Sequence, residues 1–258
     1  MNIVVCMKQT PDTEAKIVLT SDGQNIEKNN VKFIISSYDE LALEEGIRIK
    51  EKFGGTVTVI TIGTDKSQEQ LKLALAMGAD SATQIWDPSL EKADSYTTAK
   101  VLSKAIQNIG FDIVLCGQQA IDTGASLVAG MLAERLDVPC VHIVKKIDYI
   151  DEKTFVAHRQ IEGGEELLEI NTPCLITAQD GLNVARYPKL PDIMKAKKKE
   201  LKVLGLADLG LNASDITPKV SLVEIKMPEA KKAGKILTDG VNSVPELVRL
   251  IREETKVI

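Results

Sequence analysis

The chain has few aromatic and histidine side chains, and each scarcity argues against a class of function. Aromatic residues make up 3% of the 258 residues, so platforms for stacking nucleic-acid bases have few candidates. A net charge of −5 also gives a nucleic acid no general attraction. The two histidines, His142 and His158, are too few for a histidine-rich metal site and give little support to a Ser-His-Asp triad. We therefore expect no nucleic-acid partner and no bound metal.

Long apolar runs and paired cysteine motifs are missing as well. No uninterrupted apolar run approaches the ~20 residues of a membrane helix, and the N-terminus lacks the layout of a signal peptide. None of the four cysteines forms a C-x-x-C pair, and each lies in or beside an apolar segment, as free thiols do. A reducing cytoplasm is the simplest setting, so we expect a cytoplasmic protein without membrane insertion.

What is present is ordinary for a soluble globule, and its order along the chain is informative. Hydrophobic residues make up 44% and charged residues 27%. Patterns of short apolar runs predict strands at residues 3–7, 56–62, 82–86 and 112–116. Helical spacing predicts helices at residues 38–53, 67–77, 93–109 and 123–136. This alternation predicts an α/β fold with a parallel, doubly wound sheet whose ligands bind at the carboxyl ends of the strands.

The pattern changes near residue 139. Strands are predicted at residues 141–150, 154–160, 166–170 and 174–177, as an antiparallel addition to the same sheet. A loop and a lysine-rich helix over residues 195–202 follow, then an extended arm with little core at 203–236. A last helix is predicted at 243–254, opened by a capping box of Ser243 and Glu246. We divide the chain into an α/β domain (1–181), a loop with a basic helix (182–202) and a C-terminal arm (203–258).

A candidate phosphate site joins the strand at 112–116 to the next helix. Gly117 lies at the strand end, Gly124 lies farther on, and a helix start offers free backbone N–H groups. Thr123 and Ser126 add hydroxyl donors, while Asp122 is expected to cap the helix. The loop matches neither G-x-G-x-x-G nor the P-loop, so the alternative is a well-capped helix in a substrate-binding α/β protein.

A second candidate site surrounds Leu190. Pro188 and Pro191 stiffen the chain on either side of it, so a rigid loop tip presents an apolar side chain. Burying one leucine in a partner's pocket yields roughly 1.5–3 kcal/mol, which matters in a weak, reversible contact. The alternative is a loop leucine that packs on its own core.

Several separated motifs resemble one family. Arg159, the turn Glu162-Gly163-Gly164 with Glu165, and Pro173 before an apolar pair closely resemble the signature of electron transfer flavoprotein β subunits. The resemblance extends to residues 5–9, 73–80, 117–122 and 190–199, and so covers essentially the whole chain. It implies a Rossmann-like, adenine-nucleotide-binding domain, paired through the C-terminal arm with a larger α subunit that carries the redox FAD.

The resemblance also implies a second adenine nucleotide in this chain, either AMP or FAD. Where this family usually has an acidic residue, a glutamine and a glycine, the chain has Gly124, Leu127 and Ala129. The small side chains near Gly124 leave room for a larger ligand, so we favour FAD, with AMP as the alternative. By this resemblance the cofactor residues are Cys6, Ser36, Tyr38, Asp39, Gly63, Gly117, Gln119, Ala120, Ile121, Asp122, Thr123, Gly124, Ala125, Ser126, Leu127 and Val128.

By the same resemblance, the residues around Leu190 dock a partner, either an acyl-CoA dehydrogenase or another flavin-dependent dehydrogenase. The docking residues are Leu190, Pro191, Ile193, Met194, Lys195 and Lys198. With FAD bound, NADH becomes a candidate donor for electron bifurcation. Two alternatives stay open: a stand-alone adenine-nucleotide-binding module of the stress-protein type, and a catalytic α/β enzyme, although no nucleophile–base pair stands out.

Overall fold

The first strand shows how the sheet is buried. Strand β1 (Asn2–Cys6) points alternate side chains to opposite faces, as the twofold repeat of a strand requires. Ile3 and Val5 lie in one hydrophobic cluster, whereas Val4 and Cys6 lie in another. Core on both faces is typical of a central strand in a parallel sheet. The computed structural model describes residues 1–29, 31–230, 233–255 and 257.

The remaining strands follow the predicted alternation. They are β2 (Gln9–Pro11), β3 (Phe33–Ile35), β4 (Thr56–Ile62), β5 (Ser81–Ile85), β6 (Ile113–Gly117), β7 (Cys140–Tyr149), β8 (Thr154–Ile161), β9 (Gly164–Asn171), β10 (Cys174–Ala178) and β11 (Glu200–Leu204). Among the described residues, nine strands form one sheet in the order β11-β5-β4-β1-β6-β10-β7-β8-β9. Strands β2 and β3 form a separate antiparallel pair. Every neighbouring pair from β11 to β7 is parallel.

Helices cover both faces of this sheet. They are α1 (Ser37–Phe53), α2 (Gln68–Met77), α3 (Ser95–Ile109), α4 (Val128–Leu136), α5 (Leu190–Ala196) and α6 (Val244–Leu250). Buried residues of α1, α2 and α5 pack in the cluster that contains Ile3, and those of α3 and α4 pack in the cluster that contains Val4. The prediction of a doubly wound α/β fold is confirmed. No helix in the described part of the chain has both the length and the apolar composition of a bilayer span.

The antiparallel addition is smaller than predicted. Strands β7, β8 and β9 pair antiparallel, and the β8–β9 turn places Gly163 at φ +76°. Strand β10, predicted as a fourth antiparallel strand, instead lies between β6 and β7 and is parallel to both. It is buried along its whole length because both faces are covered, and such burial fits a parallel position better than an edge.

The basic run is not one long helix, and the predicted arm is packed in its first part. Helix α5 ends at Ala196, and the lysine-rich sequence continues into β11, which pairs with β5. Leu206, Leu209, Leu211 and Ile216 are then buried in the second cluster. The prediction of an arm with little core is therefore wrong for residues 203–216. Residues 219–230 lie in neither a helix nor a strand.

The last helical segment covers the predicted residues 243–254 in mixed helical geometry, but it lacks the predicted capping box. Helix α6 follows a 3₁₀ turn and leads into a short π-helical turn. The Ser243 hydroxyl oxygen accepts from the Asp239 N–H at 3.0 Å and makes no cap to α6. Glu246 instead forms ion pairs with Lys235 and Arg249, at 3.3 and 2.8 Å.

Candidate functional site

The carboxyl ends of β1, β4 and β6 meet at one edge of the sheet, next to the start of α1. This edge brings together the cofactor residues that were predicted from separate parts of the chain. Cys6 and Gly117 end their strands, Gly63 follows β4, and Ser36 and Asp39 lie at the start of α1. Parallel strands always bring their carboxyl ends to one edge, which is where ligands bind in such sheets.

Asp39 links two of these strand ends to α1. Its carboxylate accepts from the Gly117 N–H at 2.9 Å and from the Lys8 N–H at 2.8 Å. Burial raises the pKa of Asp39 to about 7, against the opposing effect of these two hydrogen bonds. Asp39 was predicted to contact the nucleotide; in the structure its side chain is buried and is used to fasten the site.

The contact between Asp39, at the start of α1, and the end of β6 requires a glycine at position 117. A Cβ at this position would lie 2.3 Å from Asp39 Oδ1 and 2.7 Å from Tyr38 Cβ. The start of α1 can therefore approach β6 this closely only because residue 117 has no side chain. Gly63 is similarly crowded, since a Cβ there would lie 2.9 Å from the Ser67 hydroxyl oxygen.

The loop after β6 is held in an irregular shape, and the prediction of a helix from residue 123 is wrong. Gly124 and Ser126 have φ values of +58° and +53°, which do not fit a right-handed helix. The Ser126 hydroxyl donates to Gln119 Oε1 at 3.0 Å, and the Gly124 N–H donates to the Ala120 carbonyl at 2.8 Å. Helix α4 begins only at Val128.

The start of α4, which follows this loop, has no side-chain cap. Leu127, which precedes α4, makes no side-chain cap, so no cap side chain satisfies the first N–H groups of α4. Helix N-termini with free N–H groups favour anions. The buried Ser36 hydroxyl accepts from the Ile121 N–H at 3.3 Å and ties the loop to α1. Residues 122–125 are exposed, so a ligand could reach the loop.

Lys8, which was assigned no role from the sequence, contacts the loop after β6. Its ammonium lies 2.8 Å from Asp122 Oδ1, and the two residues are far apart in the chain. Asp122 was predicted to cap the helix, but it pairs with Lys8 and does not cap α4. This pairing lowers the repulsion that a lone carboxylate would exert on a phosphate. The position of Lys8 directly after the first strand was the one available signal.

The predicted docking residues lie elsewhere, on α5 and, for Lys198, just after it. Leu190 is the first residue of this helix and is 75% exposed, so the alternative of a leucine packed on its own core is wrong. Ile193 and Met194 are also exposed, as are Pro191, Lys195 and Lys198. The chain leaves the carboxyl edge of the sheet after β10 and re-enters the sheet at the amino end of β11, so α5 lies apart from the carboxyl edge.

Arg186 precedes α5 and contacts α1, and Lys199 follows α5 and contacts the end of α2. The Arg186 guanidinium lies 2.8 Å from Glu44 and 2.5 Å from Glu51, both on α1. The Lys199 ammonium donates to the carbonyls of Leu75 and Ala79, at 2.8 and 2.6 Å. Neither residue was assigned a role from the sequence.

The described residues offer little else for chemistry. In the described ranges, no group of three or more His, Cys, Asp or Glu side chains is arranged to hold a metal ion. The four cysteines are free, and a hydrogen bond with Cys6 together with burial raises the pKa of the Cys116 thiol. The site is therefore built mainly from backbone donors, hydroxyls and one ion pair.

Comparisons with known proteins agree with this architecture. Residues 25–209 match the family described as "Electron transfer flavoprotein domain". The chain is 44% identical to an electron transfer flavoprotein subunit beta of Bacillus subtilis (strain 168), over 100% of both chains. It is 42% identical to the subunit beta of Thermoanaerobacterium thermosaccharolyticum, over 93% of this chain and 94% of the relative. It is 35% identical to the caffeyl-CoA reductase-Etf complex subunit CarD of Acetobacterium woodii, over 98% and 99% of the two chains. The chain belongs to the electron transfer flavoprotein family and, within it, to the β subunits.

Proposed function

We propose that this β subunit binds an adenine nucleotide at the carboxyl edge of its sheet and works as half of an electron carrier. The observation that supports this most is the loop of residues 118–127, which directly precedes α4, a helix without a side-chain cap. The loop contains two residues with positive φ and is hydrogen-bonded to Ser36. Backbone N–H groups bind phosphates without needing particular side chains. The departures at Gly124, Leu127 and Ala129 therefore leave the phosphate contacts possible.

We favour FAD as this nucleotide, with AMP as the alternative. Gly124 has an open surrounding, since the nearest atom to an added Cβ is Gln119 Oε1 at 4.0 Å. Small residues and an exposed loop leave space beyond an adenylate. When bound, FAD would supply hydride uptake from NADH and release of the two electrons to separate acceptors. The chain itself would hold the phosphates on backbone N–H groups and keep Asp122 paired with Lys8.

The proposed companion is an electron transfer flavoprotein α subunit. Large apolar side chains stay exposed on the C-terminal arm and need a surface to cover them. They are Val220, Leu222, Val223, Met227, Ile236 and Val241. A relative is named as a subunit of a caffeyl-CoA reductase-Etf complex, which supports a β subunit that works within a larger assembly. A stand-alone module of the stress-protein type would not need this apolar arm.

Nucleotide identity is tested on the purified α–β heterodimer. Denaturation followed by chromatography is expected to release two FAD per heterodimer. One FAD with one AMP would instead support the AMP alternative and remove electron bifurcation from the proposal. Purification of this chain as a ligand-free monomer would overturn the proposed pairing as well.

We further propose that Leu190 docks a flavin-dependent dehydrogenase, with Lys195 and Lys198 as an electrostatic rim. A leucine that is 75% exposed in the free subunit gains its burial only on docking. Losing roughly 1.5–3 kcal/mol of burial corresponds to roughly 10- to 150-fold in affinity.

The test is Leu190→Ala in the heterodimer, assayed with an acyl-CoA dehydrogenase and its acyl-CoA substrate. We expect normal folding and nucleotide content, but a KM for the dehydrogenase that rises at least about tenfold. Ile150→Ala, an exposed apolar position in the β7–β8 turn, is the matched control. Equal KM values for the two variants would remove Leu190 as the anchor.

A further inference from the structure

The chain that leads to Leu190 has no regular backbone structure to hold it. Residues 183–189 lie in neither a helix nor a strand. Within the described ranges, residues 183–188 make no backbone–backbone hydrogen bond. This stretch is therefore held by side-chain contacts, whereas α5 itself packs on α2.

Arg186 makes the densest of these contacts. Its Nε and Nη2 donate to the two carboxylate oxygens of Glu44 at 2.8 and 3.0 Å. Its Nη1 and Nη2 donate to those of Glu51 at 2.5 and 3.0 Å. The backbone N–H of Arg186 also donates to Glu44, at 3.2 Å. One guanidinium thus spans two carboxylates on α1, each in the bidentate geometry that is strongest for arginine.

Glu44 makes this contact difficult to release. Its side chain is 4% exposed, so its charge depends on the partners that surround it. Burial alone would raise the pKa of Glu44, but hydrogen bonds from Arg186 and Arg48 lower it below its usual value. The hydrogen bonds that Arg186 donates to Glu51 and Glu44 raise the pKa of Arg186, so the guanidinium stays charged.

The far end of α5 is held independently. The Lys199 ammonium donates to the carbonyls of Leu75, in the last turn of α2, and Ala79, just after it, and Ala196 is buried in the cluster that contains Ile3. Arg186 lies four residues before Leu190, a distance of at most ~14 Å of extended chain. Leu190 and its exposed neighbours therefore lie between two fixed points, of which Arg186 is the nearer to Leu190.

We propose that Arg186 is a positioning residue for docking: by bridging Glu44 and Glu51 it holds Leu190 in the conformation that enters the partner's pocket. This inference rests on the docking function proposed above. Fixing an anchor before binding improves affinity because the partner does not have to order the segment. If Arg186→Gln leaves the docking conformation occupied only a tenth of the time, the apparent Kd rises about tenfold.

Arg48→Gln is the matched control for Arg186→Gln. Arg48 donates to the same carboxylate, at 3.0 Å from Glu44 Oε1, and lies on α1 itself. We expect Arg186→Gln, in the purified heterodimer, to raise the KM for an acyl-CoA dehydrogenase about tenfold with kcat and nucleotide content retained. Amide hydrogen exchange should increase in the same variant at positions 186, 192 and 193, whose N–H groups are hydrogen-bonded in the structure. Neither change is expected in Arg48→Gln.

A double-mutant cycle separates positioning from simple loss of stability. In the Leu190→Ala background, Arg186→Gln should raise KM by less than about twofold, because there is no anchor left to position. Unchanged exchange in Arg186→Gln, or a full additional rise in KM in the double variant, would overturn the positioning role. If Leu190→Ala itself leaves KM unchanged, the docking proposal fails instead. If Leu190→Ala raises KM and Arg186→Gln does not, only the positioning role fails.

Discussion

Gly117→Ala is the substitution whose effect follows most directly from the structure. The added Cβ would lie 2.3 Å from Asp39 Oδ1, 2.7 Å from Tyr38 Cβ and 2.9 Å from the Asp39 nitrogen. The last two atoms belong to the first turn of α1 and move only if the helix moves. The Asp39 side chain could rotate away, but it would then lose its hydrogen bonds to the Gly117 and Lys8 N–H groups.

The expected cost combines both effects. Inserting a methyl group into a well-packed region costs roughly 1–3 kcal/mol. Losing a hydrogen bond to a charged group costs roughly a further 1.5–3 kcal/mol. We expect Gly117→Ala to lower the free energy of unfolding by about 2.5–6 kcal/mol, and the nucleotide content to fall with it because the loop after β6 starts here.

The assay is urea unfolding of the purified variant beside Gly164→Ala. Gly164 also lies at the end of a strand, but an added Cβ there meets no atom within 4 Å. We expect that control to change stability by no more than about 0.5 kcal/mol. Equal unfolding midpoints for the two alanine variants would refute the close approach of α1 to β6.

Three other predictions concern charged groups. Burial raises the pKa of Asp39 to about 7, so ionisation of Asp39 opposes folding. Asp39→Asn should therefore gain stability relative to the parent as pH rises from about 4 to about 7, by at most about 4 kcal/mol, and a difference that does not change with pH would contradict this. Hydrogen bonds to Glu165 and Asp148 raise the pKa of His158, so His158→Gln should cost more stability at about pH 6 than at about pH 9 in urea unfolding; equal costs would contradict the raised pKa. Lys8→Gln leaves Asp122 unpaired, so titration of the heterodimer with the released nucleotide should show several-fold weaker binding, while the free energy of unfolding changes by under about 1 kcal/mol. An unaltered nucleotide affinity would show that the ion pair is not part of the site.

Local patterns were enough for most of the sheet. The strand predicted at residues 56–62 is β4 as observed, because its β-branched residues need a buried strand. Helix α2 ends at Met77, and Gly78 follows with a φ of +145°. These elements are determined by side chains that are neighbours in the sequence. Fold class could therefore be predicted before any pairing of distant residues was known.

The errors arose where distant contacts override local preference. The start of the predicted helix at residue 123 resembled a well-capped N-terminus, but Asp122 pairs with Lys8 and Ser126 adopts a φ of +53°. Gly124 was the one local signal of an irregular backbone. Likewise, the lysines near residue 199 suggested a continuous helix, although Leu201 and Val203 alternate with polar residues as in a strand.

The structure brings together residues that the resemblance assigned to one site. The resemblance named Asp39 and Gly117 as cofactor residues, and the structure brings them within hydrogen-bonding distance of each other. The hydrogen bond between them joins residues that are 78 positions apart, and no sequence pattern predicts such a pairing. Arg186 lies in the predicted loop within residues 182–202, but its two carboxylate partners lie on α1.

The most direct test of the central claim is native mass spectrometry of this chain co-expressed with an electron transfer flavoprotein α subunit. We expect one complex of one α and one β chain, whose mass includes two adenine nucleotides. Gly117→Ala should lose one of the two. A β chain that stays unpaired and carries no nucleotide would contradict the account.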